Sequence, residues 1–259
     1  LPAIVGGKDM DFKYKDCKKE MDMVNKAFIE TMIEGDANGR GFQYPIPTYS
    51  ITRDFDWSET ENNKLLFEMT AKDGRVYSAE LTKDGRLLSL DSYNAEVPEK
   101  AEKLSCDDCS AKAEEMAKKL GFDVNANWVS KPLDDNTIYV NLVAKQGSFV
   151  LYPDLVKMVV DVYTGRVVGV EAFAYLVNHT TRQLPEVDGL GAAVDRLGDD
   201  FEVTDTNFAV IPVGNDEKTC YEFRGMCNGE EFFVYIDMET KEEVEILKIL
   251  KDKEGYTVL

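Results

Sequence analysis

The chain has 259 residues, room for one large domain or two to three ordinary ones, and its 44% hydrophobic and 31% charged residues suit a globular chain with a sizeable core. Lys and Arg total 30 against 49 Asp and Glu, a formal charge of −19, which excludes a generic nucleic-acid surface because affinity for phosphates comes mainly from cations. No apolar run reaches the roughly 18 residues that a bilayer-spanning helix needs, and the single histidine, His179, excludes His-rich metal sites and leaves one candidate for any Ser-His-Asp arrangement.

The chain starts at Leu1 without a Met and shows no basic-then-apolar leader, which reads as a fragment or a processed form. Its charge is uneven. Residues 1–72 hold 10 basic and 13 acidic side chains, and residues 73–259 hold 20 and 36. The break suggests two pieces with a seam at Ala71-Lys72-Asp73-Gly74.

In the first piece Met21, Val24, Phe28 and Met32 follow the 3-and-4 spacing of a buried stripe, predicting one amphipathic helix over Asp16–Glu34 that stops at Gly35. Gly35–Gly41 is a turn-rich loop. Phe42–Thr52 is extended around Pro45 and Pro47, which exclude helix and argue against a fully paired central strand. Asn62–Thr70 is predicted as a second short helix, with Leu65, Leu66 and Met69 on one side.

Asp22-Met23-Val24-Asn25-Lys26-Ala27-Phe28, Glu34–Arg40, Pro45–Tyr49, Asp54-Phe55-Asp56-Trp57 and Leu66–Lys72 together resemble the anaerobic ribonucleoside-triphosphate reductases. The resemblance ends at Lys72, before the segment where that family places its radical-bearing cysteine, and nothing later resembles its glycyl-radical segment or its four-cysteine zinc site. It implies an N-terminal piece that cannot catalyse alone. Cys17 lies outside the family's catalytic motifs and reads as a small, partly buried residue.

The second piece repeats itself. A helix over Ser105–Leu120, ended by Gly121, precedes strand-like runs at Asn127–Ser130, Thr137–Ala144, Ser148–Tyr163 and Arg166–Leu176. A short helix around Leu190–Leu197 precedes Phe201–Pro212, Thr219–Arg224, Glu231–Asp237 and Glu243–Leu250. Asp161-Val162-Tyr163-Thr164-Gly165 and Asp237-Met238-Glu239-Thr240-Lys241 occupy equivalent turns. Thr82–Arg86 is a third, joining Val76–Leu81 to Leu87–Leu90, so residues 73–95 look like the last hairpin of a preceding unit. A helix followed by an antiparallel meander, repeated, predicts an α+β fold with each helix laid on one sheet face.

Tyr152-Pro153-Asp154-Leu155-Val156-Lys157, Gly169-Val170-Glu171-Ala172, Tyr175-Leu176-Val177-Asn178-His179, Ile211-Pro212, Cys220-Tyr221-Glu222-Phe223 and Val234–Thr240 resemble, in that order, the C-terminal half of the YpeB family of spore germination proteins. The resemblance covers about residues 73–259 and implies tandem PepSY-like modules. The division it gives is a reductase-like fragment over 1–72, the final hairpin of a truncated module with its linker over 73–100, and modules over 101–182 and 183–259. It further implies a non-enzymatic protein that binds and stabilises a cortex-lytic cell-wall hydrolase in the spore envelope, outside the inner membrane. Expressed as given, without the family's anchor, the chain would be cytoplasmic. The alternative is a reductase fragment, inactive alone, in a genuine or artefactual fusion.

Chemistry candidates are few. Cys106-Asp107-Asp108-Cys109 opens a helix, where amide N–H groups favour a thiolate, but the two acidic residues oppose that. Cys220 and Cys227 flank Arg224-Gly225, and the four thiols read as structural or disulfide-forming ahead of zinc or redox roles. His179 reads either as a pH-sensitive contact or as a hydrogen-bonded residue holding the linker between modules. The acidic pairs Asp134-Asp135, Asp199-Asp200, Glu230-Glu231 and Glu242-Glu243 are not the alternating ladder of a calcium loop. No catalytic residue, cofactor or metal ligand is expected. Binding to another protein through sheet edges or faces is, with Tyr152, Phe173, Tyr175, Phe232 and Tyr235 as the candidate contact aromatics.

Overall fold

A computed structural model describes residues 42–51, 57–70, 76–81, 87–93, 102–130, 135–252 and 255–258. The helix expected over Asp16–Glu34, the loop after it, Cys17 and the turn Thr82–Arg86 lie outside them. The order of elements is β1 (Phe42–Ile51), β2 (Trp57–Thr70), β3 (Val76–Leu81), β4 (Leu87–Tyr93), then α1 (Cys106–Lys119), β5 (Asn125–Ser130), β6 (Thr137–Gln146), β7 (Phe149–Asp161) and β8 (Val167–Glu171). The helices α2 (Phe173–Asn178) and α3 (Leu190–Val194) follow, then β9 (Glu202–Val213), β10 (Asp216–Cys227), β11 (Glu230–Asp237), β12 (Glu243–Asp252) and β13 (Gly255–Val258). Among the described residues no helix is long and apolar enough to cross a membrane.

The fold is α+β, and the 13 strands of the described residues belong to one sheet. β1 to β4 form an antiparallel meander, and β4 pairs with β8 (Leu90 opposite Val170). β8, β7, β6 and β5 form the second meander, and β9 to β13 the third. The second and third join through a short parallel contact that sets Phe149, Val150 and Leu151 of β7 beside Phe208, Ala209 and Val210 of β9.

Two elements differ from expectation. Asn62–Thr70 is strand, not helix: β2 is paired on both sides, with β1 through Leu65↔Pro45 and with β3 through Leu65↔Leu81, and that pairing overrides the helix preference of its Leu, Met and Glu residues. The run Arg166–Leu176 is strand only to Glu171, then turns through Ala172 into α2, which puts His179 at a helix C-cap. The prolines of β1 sit in a terminal strand of the sheet, where a missing N–H is tolerated. The composition seam falls between β2 and β3, which are hydrogen-bonded neighbours from Leu65↔Leu81 to Thr70↔Val76.

α1 is capped as its sequence dictates. The Ser105 hydroxyl accepts from the Asp108 amide at 3.1 Å, Asp107 and Asp108 sit in the first turn, and Lys118 and Lys119 close the last. Cys109, Ala113 and Ala117, four residues apart, face the sheet and are fully buried. The main core runs beneath α1 and continues into the third meander through Val210, Tyr221, Phe223, Val234 and Ile236. Each large side chain buried there contributes about 1.5–3 kcal/mol. A smaller cluster on the other face gathers Ala209, Ile211, Cys220, Phe233, Tyr235 and Ile249.

The repeated turn is the same structure twice. Asp161 Oδ1 accepts from the amides of Tyr163 and Thr164, both at 2.9 Å, and Asp237 Oδ1 from those of Glu239 (2.8 Å) and Thr240 (3.1 Å). The fifth residue bonds back to the aspartate carbonyl in each, Gly165 at 2.8 Å and Lys241 at 3.0 Å, with φ of +68° and +59°. A Cβ added at Gly165 would lie 3.0 Å from Leu104 Cδ1, so a lysine there, as at its counterpart, would have to push that side chain aside. Lys241 offsets its strained backbone with its side chain, whose Nζ donates to the Met238 carbonyl and stands 4.9 Å from the Tyr221 ring centroid.

Candidate functional site

β7 is broken at its middle. Its pairing with β6 jumps from Leu155↔Val143 to Leu151↔Ala144, so Tyr152, Pro153 and Asp154 bulge from the ladder. Pro153 has no N–H to give to a neighbour, which explains why the ladder yields here. The bulge points two polar side chains inward, and each anchors a network that ties the second meander to the third.

The Asp154 carboxylate is fully buried. Arg182, in the linker before α3, donates to it from Nη2 (2.7 Å) and Nη1 (3.1 Å), and His179 Nδ1 lies 2.7 Å from Oδ2. The same guanidinium reaches Glu217 on β10 through Nε (2.7 Å) and Nη2 (2.9 Å). Hydrogen bonding to Glu217 and then Asp154 outweighs burial and raises the Arg182 pKa, so the cation is permanent. Gln146 clamps the Arg182 backbone in both directions, accepting from its N–H at 2.9 Å and donating to its carbonyl at 2.6 Å. The His179 ring stacks on Tyr175, centroids 4.3 Å apart. Of the two expectations for His179, this geometry matches the residue that holds the linker.

The second network centres on Glu222 of β10, which is 3% exposed. Tyr152 donates its hydroxyl to Glu222 Oε2 at 2.6 Å, and Asn127 of β5 donates to the Tyr152 oxygen at 3.4 Å. Tyr235 of β11 packs edge-on against Tyr152 at 6.3 Å. Burial pushes the Glu222 carboxyl above its ordinary range, against hydrogen bonds from Tyr152, Tyr235 and Asn207. Burial and the Glu222 charge raise both phenols, so neither is a source of tyrosinate.

The two buried thiols are equally quiet. Cys106, Cys109, Cys220 and Cys227 form no disulfide among the described residues. Burial, with Cys106 and Asp108 adding to it, pushes Cys109 up to about 11, so the helix N-terminus does not activate it; burial and Asp237 push Cys220 up to about 12. Among the described residues no group of three or more His, Cys, Asp or Glu side chains is placed to hold a metal ion.

Of the five candidate contact aromatics, Tyr175 and Tyr235 are buried. Tyr175 packs edge-on against Phe122 at 5.2 Å, and its hydroxyl accepts from the Asp123 amide at 3.4 Å. Tyr152, Phe173 and Phe232 are half-buried. Phe232 lines an open cleft, of about 240 Å³, whose walls include Leu197, Phe201, Cys227, Val234 and Ile246. Sequence reasoning missed Asp154, Arg182, Glu217 and Glu222. The available signal was Pro153 beside a carboxylate inside an apolar strand.

Two family models match the chain: residues 6–130 match "Anaerobic ribonucleoside-triphosphate reductase", and residues 192–247 match "Peptidase propeptide and YPEB domain". The sporulation protein YpeB of Halalkalibacterium halodurans is 36% identical over 108 residues, 41% of this chain and 24% of that protein. YpeB of Bacillus subtilis is 32% identical over 102 residues, 38% and 23% of the two chains. The chain therefore matches about a quarter of the length of these curated relatives. Among solved structures, the Bacillus megaterium YpeB C-terminal domain superposes with a TM-score of 0.71 at 20% identity, covering 93% of this chain and 99% of that one. The two resemblances carried by the sequence motifs are both present. The shared fold leaves out far fewer residues than the 72 before the seam, so it extends into the first piece.

Proposed function

We propose that this chain is a non-enzymatic spore germination protein that binds and stabilises a cortex-lytic cell-wall hydrolase in the spore envelope, outside the inner membrane. The observation that carries this reading is the likeness of nearly the whole chain to the YpeB C-terminal domain, joined to sequence similarity with sporulation proteins. The chemistry of the site supports it: the buried thiols and the networked phenols are raised, and the carboxylates and guanidinium are spent on joining strands. In this reading residues 101–182 and 183–259 are each a PepSY-like module, and β1 to β4 form the sheet of a preceding one. The joints between meanders make a stiff scaffold that presents sheet faces to a partner. The test is capture of a purified cortex-lytic hydrolase by the immobilised full chain. Retention that survives washing is the expected result, and none above an unrelated acidic protein overturns the proposal.

The reductase match over residues 6–130 favours a second reading, a nucleotide-binding remnant. Titration of the full chain with ribonucleoside and deoxyribonucleoside triphosphates separates the two. Saturable binding supports the remnant.

A further inference from the structure

The two repeats differ in what covers their sheets. In the first, α1 runs for 14 residues and buries Cys109, Ala113 and Ala117 over the meander. In the second, α3 has only 5 residues and one buried side chain, Ala193. Past α3, Phe201 lies directly on Gly225 of β10, where an added Cβ would meet its ring at 2.6 Å. The same sheet face then continues through half-buried Phe232 and buried Val234 on β11 to Ile246, which pairs with Val234. Ile246 is 49% exposed, and Leu250, on the same face of β12, is 44% exposed. Phe232, Val234 and Ile246 form the floor of the 240 Å³ cleft, and Leu250 extends the apolar strip beyond it.

The cleft's surroundings are predominantly acidic. Asp200 and Glu243 line it, and between Leu190 and Asp205 the chain holds 5 acidic residues and 1 basic. On the strands beside it the cations are committed, Lys248 to Glu230, and Lys251 and Arg224 to Glu231. Asp199, Asp200 and Glu243 have no ion-pair partner among the described residues. An apolar floor with acidic lips suits an apolar stripe flanked by cations.

We propose that this cleft seats a partner protein's amphipathic helix, its apolar stripe flanked by Lys and Arg, laid across β11 and β12 as α1 is laid across the first module. The inference rests on the reading of the chain as a protein-binding scaffold. The helix supplies the apolar surface that the shortened α3 does not, and the acidic lips select its orientation and reject acidic helices.

The test is fluorescence anisotropy with the full chain and three labelled synthetic peptides of α1's length: a Leu/Lys amphipathic helix, a Leu/Glu counterpart, and a Leu/Lys peptide interrupted by proline. Only the first is expected to bind. Ile246→Asp is expected to weaken it at least about tenfold, although the substitution makes the cleft more acidic and would strengthen a merely electrostatic attraction. Asp199→Lys with Asp200→Lys, both at exposed positions, is expected to weaken it as well. Absence of binding by the Leu/Lys helix, equal binding by the Leu/Glu or proline peptide, or an Ile246→Asp variant that melts like wild type and binds as tightly overturns the proposal. So does a wild-type dimer in sedimentation that Ile246→Asp dissolves, since a second copy then fills the cleft. Hydrolase capture distinguishes the two readings. Equal capture by wild type and Ile246→Asp overturns the cleft and leaves the function standing. No capture by either, with peptide binding that depends on Ile246, does the reverse.

Discussion

Glu222 shows what a single buried carboxylate does to this protein. Its carboxyl is held above the ordinary range by burial, whereas in the unfolded chain it titrates near about 4.3. Between those two values the folded state binds the proton and the unfolded state does not. Stability therefore falls as pH rises through the folded pKa, and the full contribution is present only below the unfolded one. Replacing Glu222 with Gln removes the titration and keeps an oxygen for the Tyr152 hydroxyl, which lies 2.6 Å from Oε2. We expect Glu222→Gln to equal or trail the wild type at about pH 4 and to gain on it progressively toward about pH 8, read as urea midpoints. A difference that stays constant over that range would show that the carboxyl titrates alike in both states.

At the scale of elements, the joint between β7 and β10 turns on Arg182, whose side chain is only 9% exposed. Removing it leaves Asp154 buried beside Glu217 with no strong cation between them. Arg182→Ala is expected to cost about 3–5 kcal/mol in denaturant unfolding, the range for breaking a buried pair from one side. Arg182→Lys should recover part of this, because an ammonium cannot fork to both carboxylates. Equal stability of the Ala variant and the wild type would mean that the joint is solvated. Such a joint was not legible in the sequence. Arg182 meets Asp154 across 28 residues and Glu217 across 35, and no local spacing records that. Local signals did read true. The helix that begins near Ser105 and the two equivalent turns at Asp161 and Asp237 are each set by a few consecutive residues, and the structure has all three. The misread elements, β2 and α2, lack that support. α2 has no side-chain cap, and β2 is decided by its neighbours β1 and β3 rather than by its own pattern.

At the scale of the whole molecule, the strongest sequence signal, the change in charge at residue 72, does not coincide with a change of sheet. Charge distribution governs solubility and long-range repulsion, while strand pairing depends on backbone register and on apolar side chains, so a composition break and a fold boundary are set by different forces. β2 and β3 pair at six positions across the seam, β3 pairs with β4, and β4 passes the sheet on to β8. Severing the chain between them removes one covalent connection and none of these hydrogen bonds. A protease site placed between Thr70 and Val76 should therefore yield two fragments that travel as one species in gel filtration and separate only in denaturant. The cut turns an intramolecular contact into an association, which costs several kcal/mol of lost translational freedom, so the nicked protein should also unfold at a lower denaturant concentration than the intact one. If the fragments part in native buffer, and residues 76–259 remain folded alone, β2 contributes no more than a loosely docked edge. The reductase-like segment would then be a separable passenger on a scaffold complete without it.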